Sequence, residues 1–146
     1  YKTRNNQMKI CIVISNYYPI ISKDLLIGAT KALEAGGIKK YRKILAPGIF
    51  EIPVIISKNI NFYDGFVSLG CVIKGQTPHF DFISSAAINA IMHLSITYKK
   101  PIGNGIITCL NKKQALERSS PQKKNKGREA AEAVLSVLGI SNNDSK

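Results

Sequence analysis

The side chains best suited to chemistry gather in and around one stretch, Gly70-Cys71-Val72-Ile73-Lys74-Gly75-Gln76-Thr77-Pro78-His79-Phe80-Asp81. An apolar run (Phe66, Val67, Leu69) enters it and a helical apolar pattern leaves it, so it reads as strand, glycine turn and helix start. Pro78 fits the first helical position, Thr77 the N-cap and His79 the first turn. The positive helix end and its free N–H groups attract an anion. They also favour the uncharged imidazole, which can relay protons. A small phosphorylated substrate suits that combination. His93 lies fourteen residues further on, about 21 Å up the same helix at 1.5 Å per residue. The two imidazoles therefore cannot share a metal within one chain.

Other residues complement that stretch. Glu51 follows the Pro47-Gly48 turn; its carboxylate can neutralise a helix start or accept from the hydroxyls of a polyhydroxy ligand. Tyr17 and Phe50 offer flat faces for core packing or for stacking on a heterocycle. Arg118 is one of four arginines in a lysine-rich chain, and its planar fork matches a phosphate better than any lysine does. Asp81 complements the helix dipole. Cys11, Cys71 and Cys109 each lie in or at the end of an apolar run with no CxxC spacing, which reads as buried free thiols in a reducing compartment. No Ser-His-Asp spacing or nucleophile elbow occurs, so acyl transfer is unsupported.

These residues need a frame. Residues 9–15 form a continuous apolar strand, as in a sheet covered on both faces. Ser22 is expected to cap a helix from Lys23 to about Ala35, with Leu25, Leu26, Ala29, Ala32 and Leu33 buried and Gly36-Gly37 ending it. A strand near Tyr41–Ala46 follows, then a helix from about Phe50 to Asn59 that tolerates Pro53 in its first turn. Asp64–Val72 is the third strand, and a helix from about Pro78 to Tyr98 carries Ile83, Ala87, Ala90, Ile91 and Leu94 on one stripe. Ile102–Cys109 is the fourth strand, Asn111–Arg118 a short helix, Ser119–Asn125 a polar loop and Gly127–Leu138 the last helix.

Alternating apolar strands and helices without hairpin signals predict an α/β protein. Its expected architecture is a three-layer α/β/α, flavodoxin-like fold with a four-stranded parallel sheet in the order 2-1-3-4. Ligands in such folds sit beyond the carboxyl ends of the strands, where Tyr17, Glu51, Lys74–His79 and Thr108-Cys109 all fall. One domain over residues 9–140 is expected, with a flexible lead at 1–8 and a disordered polar tail at 141–146.

The net charge of +12 at pH 7 raises nucleic-acid binding. The lysine pairs (Lys39-Lys40, Lys99-Lys100, Lys112-Lys113, Lys123-Lys124) are scattered, however, and no aromatic-interleaved basic strand occurs. Abundant Lys, Ile and Asn match the codon usage of an AT-rich genome. No nucleic acid and no membrane partner is expected. The lead carries no apolar signal core, so the expected location is cytoplasmic.

Together these pieces resemble the 6,7-dimethyl-8-ribityllumazine synthase family from about Lys9 to Leu138. The resemblance rests on Pro47-Gly48-Ile49-Phe50-Glu51-Ile52-Pro53, on Leu69 through Asp81, on Gln114-Ala115-Leu116-Glu117-Arg118, and on Asn125-Lys126-Gly127. It implies a transferase of riboflavin biosynthesis that uses no metal or organic cofactor. Its two small-molecule substrates would be 5-amino-6-(D-ribitylamino)uracil and L-3,4-dihydroxy-2-butanone 4-phosphate, condensed with release of phosphate and water.

By the same resemblance, Tyr17 would stack on the pyrimidine, and Ile49, Phe50 and Glu51 would hold the ribityl-bearing substrate. Cys71, Val72 and Ile73 would line the ring pocket. Gln76, Thr77 and Arg118 would hold phosphate, His79 would move protons, and Lys126 would approach the pyrimidine edge. Sites would lie between subunits of a homopentamer, alone or within a sixty-subunit shell. Tyr17 and Asn104 stand where the family commonly has Phe, with Asn104 facing the neighbour's site. Lys74 replaces a usual Arg, and Pro78 removes a backbone donor from the phosphate turn. A competing reading is a non-catalytic scaffold of the same fold that holds a flavin or lumazine; it would need neither His79 nor Arg118.

Overall fold

Lys9–Ser15 forms β1, and its alternate side chains feed opposite faces of the sheet: Ile10, Ile12 and Ile14 point one way, Cys11 and Val13 the other. That double burial is why the strand is apolar throughout. The computed structural model describes residues 7–140; residues 1–6 of the expected lead and the whole 141–146 tail lie outside the described residues. Met8 packs against the core at the foot of β1.

The chain continues through α1 (Pro19–Ala35), β2 (Lys40–Ala46), a 3₁₀ turn (Ile49–Glu51), α2 (Ile52–Asn59), β3 (Gly65–Ile73), α3 (His79–Tyr98), β4 (Ile102–Cys109), α4 (Lys112–Ser119) and α5 (Lys126–Val137). All strand pairs are parallel, and the order is β2-β1-β3-β4, as the sequence predicts. One core packs α1, α4 and α5 on one face of the sheet; the other packs the 3₁₀ turn, α2 and α3 on the opposite face. Three layers result, with β2 and β4 as free edges. Close packing of α1 on α5 depends on two glycines. A Cβ on Gly28 would collide with the Asn125 side chain, and one on Gly127 with the Leu25 carbonyl.

Two expected helix caps differ from the structure. Ser22 does not cap α1, which begins three residues earlier at Pro19 with Tyr18 in the cap position. Proline at that start has no N–H to satisfy, and Ser22 turns inward, its hydroxyl donating to the Ser15 carbonyl at 2.8 Å. At α3, Pro78 takes the cap position and His79 is the first helical residue. The Pro78 carbonyl accepts from Asp81 and Phe82, while Thr77 Oγ1 accepts from the His79 N–H at 3.4 Å. The cap therefore lies one residue later than expected, and His79 stays in the first turn.

Candidate active site

β1 ends at Ser15, one residue beyond the Ile14–Leu69 pair, while β3 runs on to Ile73, and the 3₁₀ turn and the start of α3 flank the space left at this edge. The open cavity there, about 400 Å³, is lined by Ser15, Tyr17, Tyr18, Gly48, Ile49, Phe50, Glu51, Cys71, Val72, Ile73, His79 and Ile83. The structure thus brings Tyr17, Ile49, Phe50, Glu51, Cys71, Val72, Ile73 and His79 onto one wall system. Ile49 reaches its place because β3 carries Gly70 beneath it; a Cβ there would strike Ile49 Cδ1.

The aromatic rim is loosely held. Tyr17 is 74% exposed and Phe50 is 61% exposed. Tyr17 meets Tyr18 edge to face, with ring centroids 5.0 Å apart and planes at 85°. Exposed flat faces at a cavity mouth suit a planar ligand. Burial pushes the Cys71 thiol up to about 12, with neighbouring Cys109 adding to the rise. Cys71 accordingly stays protonated at neutral pH and lines the wall by shape. Burial, then Cys71 and Tyr17, also push the Tyr18 phenol up.

Arg118, Lys126 and Asn104 lie elsewhere. They border a separate recess of about 360 Å³ along the β4 edge, together with Ile106, Ile107 and Thr108. Arg118 is fixed there: its Nη1 donates to the Thr108 carbonyl at 2.9 Å and to Cys109 Sγ at 3.8 Å. Asn104 Oδ1 accepts from the Ile106 N–H at 3.1 Å. Lys126 pairs with Glu129 at 3.1 Å, an exposed pair of the kind worth under about 1 kcal/mol. Three donor side chains without a lining carboxylate make the recess suited to an anion.

Asn125 holds the recess together from below. It is 1% exposed. Its Nδ2 donates to the Asp24 and Ser119 carbonyls at 2.8 and 2.7 Å, and its Oδ1 accepts from the Arg128 N–H at 2.8 Å. One carboxamide thereby ties α1, the end of α4 and the start of α5, placing Arg118 and Lys126 on a common floor. Asn111 similarly caps α4 through the Gln114 N–H at 2.9 Å, and the Gln114 side chain accepts from the Leu110 N–H at 2.8 Å.

Gln76 and Thr77 line neither space. They sit exposed on the turn between β3 and α3. A Cβ on neighbouring Gly75 would meet nothing within 4 Å. Ser15, Tyr18, Gly48 and Ile83 also line the cavity but were not singled out from sequence. Gly48 reads in the sequence as part of the turn before Glu51, Ile83 as part of the apolar stripe of α3, and Tyr18 only as the neighbour of Tyr17. Ser15 gave no signal beyond ending an apolar run. A third recess, of about 320 Å³, lies at the opposite end of β4 around Lys99, Ile102 and Val137, away from the carboxyl edge where these folds bind ligands. Among the described residues no group of three His, Cys, Asp or Glu side chains could hold a metal ion. None of their helices is long and apolar enough to cross a membrane.

The model of the 6,7-dimethyl-8-ribityllumazine synthase family matches residues 7–142. The chain belongs to that family. Relatives bearing the name 6,7-dimethyl-8-ribityllumazine synthase include one from Bartonella bacilliformis, 42% identical over 136 residues, covering 90% of this chain and 88% of the relative. One from Methylobacterium radiotolerans is 40% identical, covering 90% of this chain and 81% of the relative. One from Cutibacterium acnes is 36% identical, covering 90% and 80%. The match to the lumazine synthase family spans both the cavity and the recess, so neither belongs to an added segment.

Proposed function

We propose that this chain catalyses the 6,7-dimethyl-8-ribityllumazine synthase reaction of riboflavin biosynthesis, joining 5-amino-6-(D-ribitylamino)uracil to L-3,4-dihydroxy-2-butanone 4-phosphate. The observation that carries this reading is the company His79 keeps. It stands on a cavity wall with Tyr17, Phe50 and Glu51, in a chain matched by that family over almost its whole length. A scaffold that merely held a lumazine would need the aromatics but neither His79 nor Arg118.

The chemistry is proton traffic rather than electron transfer. The uracil amine condenses with the ketone to a Schiff base and loses water. Loss of the C3 proton then expels phosphate from C4 as the C–O bond breaks. The resulting enol takes up a proton to become a ketone at C3, and the ribityl-bearing nitrogen closes the ring on that new carbonyl with loss of a second water. His79 would move protons at these steps. Tyr17 and Phe50 would stack on the ring, Glu51 would accept from ribityl hydroxyls, and Cys71, Val72 and Ile73 would form the back wall. Gly75 supports a close anion approach, because nothing in the chain itself fills the space beside it. The N–H groups of Gln76 and Thr77, together with Arg118, would hold the phosphate. Much of the rate would come from orienting two substrates, worth several kcal/mol (up to about 7–11 in well-ordered intramolecular cases).

Cavity and recess share no lining residue. In this reading, the recess of one copy completes the cavity of the next, Lys126 approaching the pyrimidine edge and Asn104 offering an amide from the β4 side. The assembly would be a homopentamer, alone or within a sixty-subunit shell. Exposed Phe82, Met92 and Ile96 on α3 and Val54 on α2 supply apolar surface for such contacts. A cytoplasmic setting accords with three buried, unpaired cysteines. Mixing the purified chain with both substrates should yield fluorescent lumazine and free phosphate together. Product no faster than the uncatalysed background would overturn the assignment, and light scattering would give the assembly size.

A further inference from the structure

Cys109 occupies a junction that the functional reading does not use. It closes β4 and is 0% exposed. Its carbonyl accepts from the Lys74 N–H at 2.8 Å, so it anchors the turn that leads to His79. Its sulfur faces two ways: toward the Cys71 thiol in the cavity wall and toward Arg118 Nη1 at 3.8 Å. The Thr108 carbonyl takes the same Nη1 at 2.9 Å. A backbone carbonyl alone fixes one nitrogen of a guanidinium and leaves its plane free to swing. A second acceptor on that nitrogen restricts the plane. Sulfur accepts weakly, but this one is held at the end of β4 in the same buried core as Cys71 and Ala115.

We propose that Cys109 is a positioning residue for Arg118, its buried sulfur and the Thr108 carbonyl together setting the guanidinium plane that meets the substrate's phosphate. The inference rests on the proposed phosphate role of Arg118. It concerns aim rather than charge, since Cys109 touches no substrate. The remaining guanidinium donors are left to the recess, where Asn104 and Lys126 also stand.

The test is steady-state kinetics of the assembled enzyme with each substrate varied in turn, and with inorganic phosphate as the inhibiting probe. Cys109→Val keeps bulk and strand preference but removes the acceptor. It should raise KM for the phosphorylated substrate and the inhibition constant of phosphate together, by about three- to tenfold, the range of one lost hydrogen bond. KM for the ribitylaminouracil should stay within twofold. Cys109→Ser restores an acceptor and should recover most of the loss. Should the Val variant not fold, Cys109→Ala must give the same split. Unchanged phosphate affinity in a folded variant, or equal rises in both KM values, would overturn the inference. Arg118→Ala, assayed alongside, separates the two claims. If it too leaves phosphate affinity unchanged, the phosphate role of Arg118 has failed; if only the Cys109 variants are silent, the positioning role alone has.

Discussion

In the cavity at the ends of β1 and β3, the groups that would meet a ligand are held by little. Tyr17 leans its ring on the edge of Tyr18, and Phe50 stands largely in solvent. In the recess on the β4 edge the reverse holds: Arg118 is tied to Thr108 and Cys109, and Asn125 locks the floor with three hydrogen bonds. The contrast follows from what each space would bind. A planar ring is recognised by faces that tolerate small displacements. A phosphate is recognised by directed, charge-assisted hydrogen bonds, whose strength depends on donors already in place. Breaking the recess should therefore act through order, and breaking the cavity through contact or chemistry.

The largest expected effect comes from the recess floor. Asn125→Ala strips two carbonyls of a buried partner and α5 of its cap, so unfolding free energy in urea should fall by about 3 kcal/mol. A loss under about 1 kcal/mol would mean that the carboxamide is not the tie described here. His79→Ala should follow, lowering kcat by about 10²-fold, at the low end for a general acid–base group. Both KM values should move little, and turnover should remain measurable because orientation survives. Complete loss of turnover would assign His79 more than proton transfer.

Those two residues also mark what the sequence allowed to be read. His79 was legible because turn, proline and helix start are neighbours in the chain, and such local signals survive a one-residue error in the cap. Strand order was legible because parallel crossovers leave few choices. Ser22 misled because a serine ahead of a helical pattern suits an N-cap, and only the tertiary fold shows it turned toward the Ser15 carbonyl. Asn125 belongs to the Asn125-Lys126-Gly127 motif, yet its bond to Asp24 spans 101 residues, and no local pattern encodes that. The division of Glu51 and Arg118 between two separate spaces is implied by the family resemblance, which sets sites between subunits, and not by local pattern, since both follow strands that end at the same edge of one sheet.

Smaller effects would sharpen the contrast. Tyr17→Ala should raise KM for the ribitylaminouracil about fivefold, the scale of one aromatic contact, and Tyr17→Phe should restore it. Stability should barely change, because the ring is mostly in solvent. Fluorescence titration with that substrate alone would check this. A fall in stability matching the Asn125 variant would show the cavity rim to be as structural as the recess floor.

The smallest effect at working pH concerns the thiols and asks how dry the cavity wall is. Burial raises Cys71 from 9.0 to about 12, and Cys11, in the opposite core, from 9.0 to about 11, the latter offset slightly by Arg42. A raised thiol pKa means that the folded chain holds the proton more tightly than the unfolded chain. The stabilising contribution is therefore complete below about pH 9 and is lost as pH climbs through the folded values. Lysines and tyrosines titrate in the same window, so the informative quantity is the difference between variants. Melting curves from pH 8 to 11 should fall less steeply for Cys71→Ala than for the parent chain, and for Cys11→Val likewise. If the Cys11 variant flattens the curve and the Cys71 variant does not, water reaches the cavity wall, and the space that would receive the ring is wetter than its 5% exposed thiol indicates.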